Sequence, residues 1–476
     1  MRTMPGSVTP RLFFLQYKAA NAIHQTCHTR IMSDDAPNPV SSSQGSSKVA
    51  VLSVALLLLI NLFNYIDRYV LAAVEPLIRA EFFPIGKADD HTAGLRMGLL
   101  ATAFLVSYMV TAPIFGWIAD RWKRWTIVGI GVTVWSIASG GSGMATMWLA
   151  MLLMRVMVGI GEAAYGPTAP TLISDLFPVQ RRGAVLAWFY AAIPVGSALG
   201  YVMGGLVTKF TTWHWAFLLT LPPGLALGAL CFFMKDPPRG ISDGATHHRA
   251  GLRDYATLAR TPSYVLAVAG MTAFTFAIGG ISFWMPTYLH EHRGQHDLGQ
   301  VNLIFGGITV VAGLSATLIG GWLGDRLRTR FSGSYFLVSG GGMIVGFPFF
   351  LASLYAPMPV AYGYIFIAIF FLFLSTGPSN AILANVTHPS IRATGFALSI
   401  FFIHAFGDAI SPPVIGWVTD LTKSPSNPEG DMTLGFLIVG GMILLSGALW
   451  IWGAAYLKRD TELAPTRFAG DAHPTT

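Results

Sequence analysis

Charge is scarce in this chain. Only 11% of its 476 residues are Asp, Glu, Lys or Arg, against about 25% in ordinary soluble domains, which excludes a mainly water-facing globular fold. Cysteine is almost missing: Cys27 sits in a polar tail and Cys231 in an apolar run, so no disulfide framework is available. The segment "HQTCH" around Cys27 lacks metal-ligand spacing, and no metal site is expected. A phosphate-cradling GxxxxGK[ST] loop is absent, which argues against ATP hydrolysis. No nucleophile–base spacing stands out, so a membrane enzyme is the least favoured class and no cofactor is expected.

What is present is apolar. Hydrophobic residues make up 53% of the chain, with 52 glycines and 28 prolines, residues that membrane helices tolerate better than soluble ones. Apolar runs long enough to cross about 30 Å of hydrocarbon fall at roughly 50–78, 96–119, 125–142, 146–172, 183–208, 214–234, 262–289, 299–323, 334–355, 360–386, 393–419 and 432–457. The expected fold is an all-α membrane protein with twelve transmembrane helices. Residues 1–49 form a polar tail without a signal-type apolar core and are expected to be disordered. A first six-helix bundle spans 50–234, a polar linker 235–260, a second bundle 261–457 and a C-terminal tail 458–476.

The net charge of +7 raises the possibility of nucleic acid. Its distribution answers otherwise. With the N-terminus inside, the outer loops hold only Arg79, Lys87, Arg96, Lys209, Arg293 and Lys423 of the 30 Lys and Arg. The positive-inside rule then places both termini in the cytoplasm, and no nucleic-acid partner is needed. Compact loops point to a bacterial inner membrane, and the protein is expected to act as a monomer.

The two bundles echo each other, which makes them pseudo-symmetric. "GWIADRWKRW", Gly116 to Trp125, follows the second span, and "GWLGDRLRTR", Gly321 to Arg330, follows the eighth. "FPVQRRGA" from Phe177 is answered by "HPSIRATG" from His388, where Pro178 and Arg181 match Pro389 and Arg392. The first pair resembles the gating motif of the major facilitator superfamily, departing from it at Lys123. Arg155 with "GIGEAAYGP" resembles that superfamily's fourth-span motif. "NYIDRYVLA", "RVMVGIGEAAYGPTAPTLISDLF" and "FYAAIPVGSALGYVMGG" resemble the Spinster family. The resemblance implies two bundles rocking about a central cavity, and proton-linked transport of lysophospholipids or sphingoid lipids.

The resemblance assigns a latch role at the cytoplasmic face to Gly116, Asp120, Arg121, Arg124, Arg181, Arg182, Asp325 and Arg326. A carboxylate there can pair with an arginine while that face is closed, biasing an equilibrium; plain positive-inside anchoring is the alternative for the basic residues. Gly196, Gly200 and Gly204 are four apart and share one face, either for close packing or as a surface on which the halves slide.

The most informative residues are charges inside the spans. Asp67, Arg68, Arg155 and Glu162 lie at comparable depths, about 13–24 Å from the outer ends at 1.5 Å per residue. Unpaired, four such charges would cost roughly 10–14 kcal/mol. Two acids and two bases offset one another, as a structural ion-pair network or as a site that couples protons to an anionic headgroup. Glu75 reads as an accessory to that site or a solvated rim residue. His404 and Asp408, also four apart, read as a core pair or an extension of the proton route. The second half is otherwise apolar and aromatic, suited to a hydrocarbon chain. The expected activity is proton-coupled transport of an amphipathic lipid, with a small-organic-anion transporter and a non-transporting lipid receptor or sensor as alternatives.

Overall fold

The computed structural model describes residues 43–87, 90–119, 121–177, 179–237, 252–388 and 391–464. The chain divides into Met1–Val49 and Ala50–Thr476; of the first unit, only the opening residues of a helix are described, and the second carries the architecture. Twelve helical segments occupy the expected positions. The first half holds α1 (Ser43–Phe82), α2 (Ala93–Ala119) and α3 (Arg124–Ser142). It continues with α4 (Trp148–Tyr165, resumed over Thr168–Leu176), α5 (Val179–Phe210) and α6 (Trp213–Leu218, resumed over Leu221–Phe232). The second half holds α7 (Pro262–Thr287), α8 (Leu298–Arg328), α9 (Ser334–Tyr355) and α10 (Val360–Phe373, resumed over Thr376–Val386). Last come α11 (Arg392–Ile403, a π-turn at His404–Asp408, then Ser411–Leu421) and α12 (Met432–Gly453). Among the described residues, 11 helices are long and apolar enough to span a membrane. The twelfth, α3, falls short because Trp, Ser and Gly dilute its apolar residues.

Proline explains where these helices break and how the breaks are used. It lacks an N–H, so the carbonyl four residues earlier loses its helical partner, and in a bilayer that carbonyl must find another. Pro286 deprives the Ser282 carbonyl, which instead accepts from the Tyr201 hydroxyl of α5 at 2.5 Å. Pro413 deprives the Ala409 carbonyl, which accepts from the Thr102 hydroxyl of α2 at 2.5 Å. In both cases a half-broken helix of the second half is completed by a side chain of the first. The Trp284 indole likewise donates to the Pro412 carbonyl at 2.8 Å.

Glycine sets how closely helices approach. A Cβ on Gly161 would lie 2.7 Å from the Trp135 nitrogen and 2.8 Å from the Gly131 carbonyl oxygen, which joins α3 to α4 backbone on backbone. The Gly196, Gly200 and Gly204 face proves to be such a packing surface: it lies on Leu62, Tyr65, Ile66, Tyr69 and Ala73 of α1, within the same half. The sliding-surface reading therefore fails for these three. The contact between halves falls one residue over, at Gly205, where a Cβ would meet Asn302 and Gly299 of α8 at 2.9–3.0 Å.

Close packing of this kind makes a simple contrast. Gly200→Val, which puts a side chain 2.7 Å from the Ile66 carbonyl, is expected to cost about 1–3 kcal/mol of overpacking. Gly341→Ala, where nothing lies within 4 Å, is expected to be neutral. Thermal unfolding in detergent measures both, and equal midpoints would contradict the packing assignment.

Candidate functional site

The buried charges of α1 and α4 meet, but not as one four-membered cluster. Arg68 donates through Nη2 to Glu162 Oε2 at 2.7 Å. Its guanidinium lies 4.6 Å from the centre of the Phe104 ring and 4.9 Å from that of Tyr65, an arrangement that favours a cation over two ring faces. Glu162 is fully buried, whereas Arg68 is 25% exposed, toward a cavity. Glu162 also lines that cavity, so the pair sits on its wall.

Asp67 and Arg155 are organised differently. Asp67 is buried and accepts from the Ser139 hydroxyl and, at 3.5 Å, from the Thr220 hydroxyl. Arg155 is equally buried; its Nη2 donates to Ser142 at 2.7 Å and its guanidinium lies 5.2 Å from the centre of the Phe217 ring. No ion pair within 4.0 Å joins Arg155 to Asp67 among the described residues. Of the expected neutral cluster, Arg68 and Glu162 pair directly, while Asp67 and Arg155 are met by hydroxyls. Ser139, Ser142 and Thr220 are site residues that the sequence reading missed. Their only signal is a small polar side chain inside an apolar run, which recurs too often to single them out.

Arg68, Arg155 and Glu162 border a cavity of about 140 Å³ between the halves, whereas Asp67 and the three hydroxyls lie off its wall. The first half contributes Arg68, Arg155 and Glu162 to its wall, set among Leu71, Ala72, Phe104 and Leu105. The second half contributes Ile278 and Phe283, but also Thr275, Ser282 and Asp408. The expected apolar wall is therefore mixed, and the aromatics of α10 are absent from it. Asp408 and His404 do pair, with His404 Nδ1 3.0 Å from Asp408 Oδ1. They occupy the π-turn of α11 rather than a sealed core, each about a quarter exposed. Such turns recur where a helix must aim a side chain inward.

Glu75 is not a solvated rim residue. It is fully buried, accepts from Thr287 of α7 at 2.6 Å and lies 3.3 Å from Arg79. Arg79 reaches across to Glu291 and to Glu429, the latter at 3.1 Å. The same end is closed by Lys423 with Asp90 at 3.0 Å, by the Gly94 and Leu95 N–H groups donating to Asp420, and by Asn302 donating to the Ala73 carbonyl. All of these ties join one half to the other.

At the opposite end the repeated motif presents a different picture. Asp120 lies outside the described residues, as do the side chains of Arg181 and Arg182. Arg124 is buried and pairs with Asp175 at 2.5 Å while its N–H donates to Asp236 at 2.7 Å. In this structure it anchors its own half. Asp325 accepts from Tyr335 at 2.8 Å, again within one half. Arg121 and Arg326 lie over Trp117 and Trp322, with guanidinium-to-ring distances of 4.0 and 5.6 Å. Nothing lies within 4 Å of a Cβ built on Gly116 or Gly321.

Residues 57–412 match the Major Facilitator Superfamily model, and the chain belongs to that superfamily as an integral, multi-pass membrane transporter. Protein spinster homolog 3 of Danio rerio is 35% identical over 467 residues, covering 92% of this chain and 91% of the fish protein. Human Protein spinster homolog 1 is 34% identical over 455 residues, covering 89% of this chain and 84% of the human one. Within the superfamily the chain is a member of the Spinster family. In fold it resembles a bacterial homolog to human lysosomal transporter Spinster, solved inward-facing and unoccupied, with a TM-score of 0.71 and 20% identity over 89% of this chain and 98% of that one. It also resembles a D-xylose-proton symporter, with a TM-score of 0.68 and 16% identity over 86% and 99%.

The hydroxyl shell around Asp67 carries its own prediction. Ser139→Ala removes the close donor to a buried carboxylate and is expected to cost about 1–3 kcal/mol. Thr220→Ala, which removes a 3.5 Å contact, is expected to cost clearly less. Thermal midpoints of the two purified variants decide the order.

Proposed function

We propose that the protein is a proton-coupled secondary transporter of an amphipathic lipid, of the lysophospholipid or sphingoid type. The observation that carries the reading is the Arg68–Glu162 pair on the wall of a cavity that sets charged and polar groups among apolar ones. A buried ion pair is weak support for stability, since apolar residues of similar volume serve as well or better. Its retention beside a cavity argues for work done by its charges.

The chemistry follows from the geometry. When Glu162 takes up a proton, the Arg68 guanidinium loses its counter-ion and is free to bind an anionic headgroup. When the headgroup leaves, Arg68 again favours the ionised carboxylate and the proton is released. Asp67 and Arg155 form a second, hydroxyl-buffered pair of charges that takes part in the same exchange, and His404 with Asp408 supplies an acceptor from the other half. A cavity of about 140 Å³ is below the ~300–1,000 Å³ of drug-sized sites. It suits a headgroup and the start of a chain, with the rest of the chain lying along the apolar walls.

Sidedness comes from the basic residues. With both termini cytoplasmic, the end sealed by Arg79 faces outward and the unpacked glycines of the repeated motif face inward. The latch residues Asp120, Arg181 and Arg182 would then engage when the cavity opens outward. We place the protein in a bacterial inner membrane, acting as a monomer. The small cavity and the polar Thr275, Ser282 and Asp408 favour one other reading, a transporter of small organic anions. Competition for binding between lysolipids and short carboxylates separates the two.

Asp67→Asn, Arg68→Ala, Arg155→Ala and Glu162→Gln are each expected to lower pH-gradient-driven lysophospholipid uptake into proteoliposomes by about tenfold or more, equivalent to at least one 1.36 kcal/mol step. Each variant is expected to elute as a folded monomer. Undiminished pH-dependent uptake by these variants would refute the proposal.

A further inference from the structure

The ion pairs that close the Arg79 end do not balance. Among the described residues, Arg79 is the cation in ion-pair contact with Glu75, Glu291 and Glu429, which arrive from α1, the end of α7 and the loop before α12. The other charged and titratable groups near this end have contacts of their own. Arg293 donates to the carbonyls of Ser353, Leu354 and Ala356. Lys423 is held by Asp90 and Asp420. Asp431 caps α12 by accepting from the Thr433 N–H at 2.9 Å. His290 Nδ1 lies 2.8 Å from the Gln295 carbonyl, and the His292 ring stacks on Tyr288. Three ionised carboxylates around one guanidinium would leave two uncompensated negative charges between the halves. Like charges held this close do not all stay ionised in a site of low dielectric.

Three buried polar atoms at this end, Glu75 Oε1, Arg79 Nε and His292 Nε2, make no hydrogen bond. Glu75 is fully buried, and its Oε1 is aimed at Arg79. The cluster is also separate from the cavity: Arg68 and Arg79 are eleven residues apart on α1, about 16 Å along the helix axis.

We propose that Arg79 with Glu75, Glu291 and Glu429 is a second proton-binding site, and that a proton held there keeps this end of the transporter shut. The inference rests on the alternating-access part of the functional reading, but not on the role of the cavity charges. Loss of the proton leaves the carboxylates repelling one another across the joint between the halves, and that end parts. Binding is shared by the cluster and is not the property of one carboxylate.

The test is a distance measurement on the full chain. Spin labels are placed at Ile85→Cys and His296→Cys, exposed positions on opposite halves at this end, in a Cys27→Ser, Cys231→Ser background. In liposomes the short-distance population is expected to rise about threefold from about pH 8 to about pH 5. With Glu291→Gln and Glu429→Gln together, it is expected to stay high at both. Glu429→Gln alone, a tolerant loop change, is expected to show a reduced response. A wild-type-sized response in the double or single variant, or a wild type that opens on acidification, would overturn the proposal. The same labels in Glu162→Gln keep the two readings apart: a preserved response supports a separate site, and a lost response assigns the proton to the cavity.

Discussion

A guanidinium and a carboxylate placed inside hydrocarbon must find each other or be expelled, and the Arg68–Glu162 contact is where this chain meets that requirement. The rest of the central architecture can be read as its support. Phe104 and Tyr65 flank the cation, the glycine face of α5 holds α1 at backbone distance behind it, and α4 carries both Glu162 and Arg155 on one side, two turns apart. Asp67 and Arg155 are met by hydroxyls from α3 and α6 instead of by each other. Arg68 and Glu162 thus hold each other directly, while Asp67 and Arg155 are held by neutral hydroxyls.

The second organising constraint is the unsatisfied carbonyl. Pro286 and Pro413 each expose one in the second half, and Tyr201 and Thr102 of the first half cover them. These bonds fall at the joint between halves, close to Ser282 and Pro412 of the cavity wall. Opening the joint would therefore strip two carbonyls as well as break the charged ties beyond them. The same two broken helices border both the cavity and the sealed end.

Much of this was legible before any coordinates. Apolar run lengths located the helices, including α3, and the paired "GW" motifs revealed two halves. Charges inside apolar runs named Arg68, Glu162, Asp67 and Arg155, because a residue that costs several kcal/mol to insert stands out against its neighbours. What escaped was whatever carries no cost signal. Ser139, Ser142 and Thr220 look like any small polar residue in a membrane helix. Glu75 was misjudged because depth along one helix does not reveal that a second half covers it. Glu291 and Glu429 sit in loops where acidic residues are ordinary, and only tertiary structure brings them to Arg79. The glycines of α5 were recognised as a close-packing face, but sequence spacing could not say which helix they would meet.

The central claim, that Glu162 trades Arg68 for a proton when a headgroup arrives, is tested most directly by counting protons. Purified protein in weakly buffered detergent is given a lysophospholipid, and proton uptake is followed with a pH indicator. The account predicts uptake by the wild type and its loss in Glu162→Gln. No proton movement in the wild type, or the same movement in both proteins, would contradict it.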